Sequence, residues 1–168
     1  GDAMGKSIQG AGGALVLGSV FASILERTRL TSALRENYPE RWLKNAFIEL
    51  QKVFVSFEGT MLVSLVMGLI DDSTGTLYYI NAEHPPVVLY RHGKAMFLDR
   101  FMFHKLGTTG LDGSISVKTF CLMPDDVILA GSDGRDDIAI EAESNESGRI
   151  INEDENLFLR AVEETGSI

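Results

Sequence analysis

From Ile8 onward, small and apolar residues recur at Ala11, Leu15, Gly18, Ala22 and Leu25, a spacing that predicts a helix. The preceding Gly1-Asp2-Ala3-Met4-Gly5-Lys6-Ser7 reads as a loop, with Ser7 placed to cap that helix. Gly10, Gly12, Gly13 and Gly18 each weaken the helix by roughly 1 kcal/mol relative to Ala, so they fit it only where a neighbouring backbone comes close. Glu26 to Arg29 is a charged stretch near its end. A second helix is predicted from Pro39 or Glu40 to Phe54, with Trp42, Leu43, Ala46, Phe47, Leu50 and Phe54 on one apolar face. Pro39 is tolerated in its first turn, where an N–H has no intrahelical acceptor.

The period then changes. Met61 to Ile70 is nearly continuous apolar, as for a strand covered on both faces. Asp71-Asp72-Ser73-Thr74-Gly75 is a hairpin turn and Thr76 to Asn81 the return strand. Pro85-Pro86 interrupts pairing. Val87 to Tyr90 and Ala95 to Leu98 read as a hairpin around His92-Gly93-Lys94. Ser114 to Leu122 alternates, and Val127 to Ala130 reads as a short buried strand after the Pro124-Asp125-Asp126 turn. Asp137 to Gly148 is polar and acidic, a solvated loop, and Asp154 to Glu164 reads as a last helix with Leu157, Phe158 and Ala161 inward. Helices segregated from antiparallel hairpins indicate an α+β fold rather than a doubly wound parallel sheet.

Composition narrows the class. The 168 residues, 45% of them apolar, suit one domain with a real core. A net charge of −9 without a basic stripe argues against nucleic acid as a partner. The single cysteine, Cys121, makes no internal disulfide, and no Cys/His cluster suggests zinc. This suits a reducing, cytoplasmic setting. Apolar stretches are broken by Gly, Ser or charge before the ~18 residues of a membrane span, so no membrane contact is expected of this segment. The first residues do not read as a signal peptide. Cys121 reads as a small buried hydrophobe, the methionines as core filler, and Trp42 as a packing anchor or a dimer contact. His84 reads as a turn residue, and His92 and His104 as surface residues.

Two carboxylates stand out by their neighbours. Asp2 lies in a Gly-Asp-x-x-Gly loop before a helix, and Asp133 in Gly131-Ser132-Asp133-Gly134 directly after a strand. Rigid backbone on one side and glycine on the other leave such an aspartate fixed yet open to approach. Two of them together could hold hard divalent cations such as Mg²⁺ or Mn²⁺. Either could equally be a turn residue.

Four stretches, in order, carry a resemblance: GDAMGKS, MLVSLVMGLIDDSTGTLYYINAEHPPVVLYRHG, KLGTTG and LMPDDVILAGSDGRDD. Together they resemble the SpoIIE/RsbU branch of the metal-dependent (type 2C) serine/threonine protein phosphatases. The resemblance covers residues 1 to 137 and implies a type 2C phosphatase-like αββα sandwich of antiparallel sheets flanked by helices. It implies that Asp2 bridges two Mn²⁺ or Mg²⁺ ions, that the Ala3 carbonyl supplies a further ligand, and that Asp133 binds one ion. Asp2 and Asp133 would be the catalytic residues. Water activated by the ions would attack phosphoserine or phosphothreonine directly, without a phosphoenzyme. Ser132, Gly134 and Asp137 fall on motif positions read as loop support.

Departures from the pattern set the alternatives. Lys6 stands where the branch has His or Asn, either opposing metal binding or pairing with a substrate phosphate, and Ser7 replaces a Gly. Glu83 replaces the Gly before His84. The branch's strands before the first motif, and its late Asp-Asp-x-Thr-like motif, have no counterpart. The expectation is therefore a single domain over 1–168, truncated at both ends, lacking its first strands and last strand. Its partners would be a phosphorylated regulatory protein, such as an anti-sigma-factor antagonist, and an upstream sensor domain in a longer bacterial signalling chain. Exposed sheet edges leave a homodimer open. The alternatives are a non-catalytic signalling or dimerisation module with a degraded metal site, and an unrelated α+β ligand-binding domain.

Overall fold

Helical spacing early in the chain and alternation later produce the expected helices and hairpins in order, while Asp2–Ala3, read from the sequence as loop, forms a short strand. The computed structural model describes residues 1–5, 8–31, 38–98, 103–110, 115–135, 154 and 156–166. The elements are β1 (Asp2–Ala3), α1 (Ile8–Leu30), α2 (Pro39–Val55), β2 (Val63–Asp71), β3 (Thr76–Ala82), β4 (Val88–Arg91), β5 (Lys94–Phe97), β6 (Lys118–Cys121), β7 (Val127–Leu129), a single 3-10 turn at Asp133–Arg135, and α3 (Leu157–Thr165). They divide into two compact units that interleave along the chain. The first comprises Gly1–His84 and Phe101–Leu122, the second Pro85–Arg100 and Met123–Ile168. The acidic stretch Asp137 to Gly148 lies outside the described residues.

The first unit is a four-stranded antiparallel sheet in the order β1-β2-β3-β6. The face predicted for α2 is the face it buries: Leu43, Ala46, Phe47, Leu50 and Phe54. They pack with Val63, Leu65, Met67, Ile80, Ala82 and Leu106. Each such side chain contributes roughly 1.5–3 kcal/mol when fully buried. β2 is buried from Val63 to Leu65 and at Met67, but Ile70 at its far end is exposed. The apolar run was expected to be covered throughout, yet burial stops short of that end.

α1 buries Ile24 and leans Val16, Leu17, Val20 and Phe21 on the same core, while Leu15 and Leu30 stay exposed. Trp42 is a packing anchor, its Nε1–H donating to Thr28 Oγ1 at 2.8 Å, and Arg27 pairs with Glu49. One sequence expectation needs correction here. Gln9–Leu30 is a 22-residue stretch long and apolar enough to cross a membrane by length and composition. Its glycines and serines do not break the helix, because helix formation tolerates small residues that the eye reads as interruptions.

The second unit is a three-stranded antiparallel sheet, β5-β4-β7. Val88 and Leu89 on the central strand are fully buried. α3 docks on β5 through Glu163, whose carboxylate accepts the Ala95 N–H at 2.9 Å, and Tyr90 Oη donates to the Gly166 carbonyl at 2.5 Å. β7 was expected to be buried but, among the described residues, lies at the edge of its sheet, with Val127 48% exposed. Cys121, also expected inside, is exposed because edge strand β6 turns alternate residues outward.

Arg91 grips Asp126 with both ends of its fork, Nε to Oδ1 at 2.8 Å and Nη2 to Oδ2 at 2.6 Å. The Arg91 hydrogen bond outweighs the cost of burial and lowers the Asp126 carboxyl to about 2. A carboxyl lowered in the folded state adds stability above its unfolded value and loses it as pH falls through the folded one. Acidification from pH 5 towards pH 2 is expected to weaken this unit by about 1–2 kcal/mol through this residue. Denaturant midpoints across that range check it, and Asp126→Asn should remove that component of the pH dependence.

Candidate functional site

Asp2 sits on a strand of two residues. It is opposite Ser64, Ala3 is opposite Val63, and the Met4 N–H donates to the Leu62 carbonyl at 2.8 Å. The chain turns at Gly5, φ +116°, in a region that glycine enters at little cost. The loop then lies hard against the start of α1. A Cβ at residue 10 would come 2.5 Å from the Gly5 carbonyl oxygen and 3.5 Å from that of Ala3. A Cβ at residue 13 would come 2.7 Å from Ala3 Cβ. Gly10 and Gly13 thus meet the close neighbour that helical glycines were expected to need. Gly18 has nothing within 4 Å and does not.

A contrast follows. Gly18→Ala should raise stability by about 0.5–1 kcal/mol through helix propensity alone. Gly10→Ala has the same intrinsic advantage but must displace backbone oxygen, so it is expected to lower the urea midpoint. The two denaturation curves should move in opposite directions.

Asp133 belongs to the second unit, in the 3-10 turn that follows β7, and is exposed. The turn is held by Arg135, which sequence reasoning missed. Its N–H donates to the Ser132 carbonyl at 3.2 Å and its Nη1 to the Pro86 carbonyl at 2.6 Å. Its guanidinium lies over Phe158 at 5.1 Å and Phe97 at 5.8 Å, cation–π distances. An arginine two places after the candidate aspartate, in an acidic stretch, was the available signal. Space beside Gly134 is open: an added Cβ would meet Ser132 Oγ at 3.8 Å. Lys6 and Asp137 lie outside the described residues.

The histidine of the Asn-Ala-Glu-His-Pro-Pro turn is more than a turn residue. His84 is buried, with its Nδ1 2.9 Å from Ser64 Oγ. Asn81 clasps its backbone on both sides, accepting the His84 N–H and donating to the His84 carbonyl, each at 2.8 Å. Glu83, where the related motif has Gly, takes a left-handed φ of +47°. Its carboxylate meets His104 Nδ1 at 3.0 Å and Lys105 Nζ at 3.8 Å. The Leu106-Gly107 loop is joined to β2 by the Val63–Leu106 bridge.

The backbone carbonyls of Ala3 and Gly5 lie against the start of α1, and the Asp2 carboxylate is exposed on β1. Such donors suit hard cations, and Mg²⁺ in particular takes one or two carboxylates and completes its shell with water or phosphate. The cradle that a Cβ at residue 10 would fill keeps those carbonyls in place. Among the described residues no three His, Cys, Asp or Glu side chains gather as for an ion.

The family model described as Stage II sporulation protein E (SpoIIE) matches residues 1–167. No curated protein matches the chain. Among solved structures it is similar to the RsbU and RsbW domains of Rv1364c from Mycobacterium tuberculosis, with TM-score 0.68 and 16% identity. That match covers 99% of this chain and 41% of that one. The phosphatase domain of the cell fate determinant SpoIIE from Bacillus subtilis, soaked with Mn, also matches, at TM-score 0.40 and 14% identity over 89% of this chain and 65% of that one. The first likeness shows that the chain shares the α+β fold of that neighbour.

Proposed function

The chain belongs to the SpoIIE family, and on that premise we propose that it hydrolyses phosphoserine or phosphothreonine on a regulatory protein, with Mn²⁺ or Mg²⁺ as cofactor. Family and fold are of phosphatase type. The observation that carries the finer reading is the family match across nearly the whole chain.

Asp2 and the Ala3 carbonyl would be metal ligands, Asp133 would bind one ion, and Lys6 would pair with the substrate phosphate. The ions, when bound, supply an activated water and screen phosphoryl charge. Asp2 and Asp133 fix the place of that chemistry on backbone set by β1 and by the Arg135-held turn. The water oxygen ends in inorganic phosphate, the phosphorus–oxygen ester bond breaks, and the serine or threonine oxygen leaves with a proton. A regulatory protein as partner is supported by the RsbU and RsbW domains that share one chain in the M. tuberculosis neighbour. The setting is cytoplasmic signalling, downstream of a sensor domain.

The test is release of phosphate from a phosphopeptide by the full-length protein with and without Mn²⁺. No metal-stimulated turnover would count against the reading. The absence of a three-ligand group among the described residues favours, as the second reading, a non-catalytic module of the same fold. Micromolar Mn²⁺ binding by calorimetry separates the two.

A further inference from the structure

We propose that the buried Ser64–His84 pair is a positioning device that fixes the backbone of Asp2; its bearing on catalysis rests on the phosphatase reading above. β1 pairs with β2 at Asp2–Ser64 and Ala3–Val63. What β1 has in addition lies on the neighbouring strand. Ser64 is the register partner of Asp2, it is buried, and its hydroxyl stands 3.4 Å from the Asp2 carbonyl oxygen. On its other side the same hydroxyl meets His84 Nδ1 at 2.9 Å.

A serine hydroxyl has one proton and two lone pairs. It satisfies both neighbours in one arrangement: Nδ1–H of His84 donates to Ser64 Oγ, and Oγ–H donates to the Asp2 carbonyl. The imidazole is thereby held as the Nδ1–H tautomer. The ring is itself aimed by backbone. Asn81 clasps the His84 peptide groups, and the proline that follows confines His84 to extended φ/ψ. The line therefore runs Asn81, His84, Ser64, Asp2, linking the end of β3 to the candidate ligand through hydrogen bonds that are buried as far as Ser64 and part-buried at Asp2. Buried polar groups of this kind are costly unless satisfied, so their pairing holds one geometry against others.

The test uses the full-length protein. Nitrogen-15 NMR of the wild type should show the Nδ1–H tautomer at His84, and an Nε2–H tautomer overturns the proposal. In His84→Ala and Ser64→Ala, amide exchange at Ala3 and Met4 should speed about tenfold while α2 amides keep their protection. His84→Asn, whose side-chain amide reaches the Nδ1 position, should restore slow exchange, and His84→Gln should not. The double variant should be no worse than either single one, as for residues acting in one line. Mn²⁺ affinity should fall about 10- to 100-fold in the same variants, the usual cost of losing a group that orients a ligand. Unchanged exchange at Ala3 and Met4 in folded variants overturns the proposal. Should the wild type bind no Mn²⁺ while the exchange pattern holds, the anchor stands and the phosphatase reading fails.

Discussion

Asp2→Asn in the full-length protein is expected to reduce Mn²⁺-stimulated phosphopeptide hydrolysis at least ~100-fold, because the Lewis-acid and nucleophile-generating roles it supports are worth several kcal/mol. Asn keeps the shape of the side chain and removes its charge. Asp2 is exposed on β1, so the substitution leaves no buried group unpaired and the thermal midpoint should stay near that of the wild type. Asp133→Asn should behave alike, since it too is exposed and on a turn held by Arg135 rather than by its own carboxylate. Phosphate release and Mn²⁺ calorimetry on the same preparations check both. Activity within threefold of wild type in either variant would remove that aspartate from the catalytic reading.

Gly107→Ala is expected to cost about 3 kcal/mol of stability, from left-handed backbone strain of 1–3 kcal/mol and a steric overlap on top of it. Gly107 sits at φ +91°, and a Cβ there would lie 2.5 Å from the Met61 carbonyl oxygen and 3.4 Å from that of Phe54. Neither oxygen yields easily, because both belong to the backbone that leaves α2. Gln51 adds to the demand by accepting the Gly107 N–H at 3.0 Å and donating to the Thr108 carbonyl at 2.9 Å. The thermal midpoint should fall by roughly 10 °C. Gly110 separates the two causes: its φ is +75° with nothing within 4 Å of an added Cβ. Gly110→Ala should cost about 1 kcal/mol, strain without overlap. Equal losses at the two positions would refute the steric account.

Much of the local texture of the described residues was legible in the sequence. The apolar face of α2 lies at helical spacing, so its buried residues could be named before any contact was seen. The hairpins around Ser73 and Gly93 follow from turn residues that need particular backbone angles, and Asp71 makes the expected turn bonds to Ser73. The glycines of α1 announced a close approach without saying to what; the Gly5 carbonyl and Ala3 supply the answer. Asp2 and Asp133 could be singled out by their neighbours, Asp2 in a Gly-Asp-x-x-Gly loop before a helix and Asp133 before a glycine directly after a strand.

His84 shows where that legibility stops. Its role depends on Ser64, twenty residues earlier, being set opposite Asp2 by strand register, and no local pattern encodes which residues meet across a sheet. The exposure of Cys121 and Val127 has the same origin, because a strand reads alike at the edge of a sheet and at its centre. Arg135 reaching the Pro86 carbonyl, forty-nine positions away, is another contact of this sort. The amino-acid order by itself determined the sequence of helices and strands, their turns, the α2 core face and the family motifs, because these depend on short-range periodicity and backbone preference. Tertiary structure alone decided which strands lie at the edges, which polar groups are buried and how β1 is anchored. Those outcomes depend on burial and hydrogen-bond satisfaction among residues far apart in the chain.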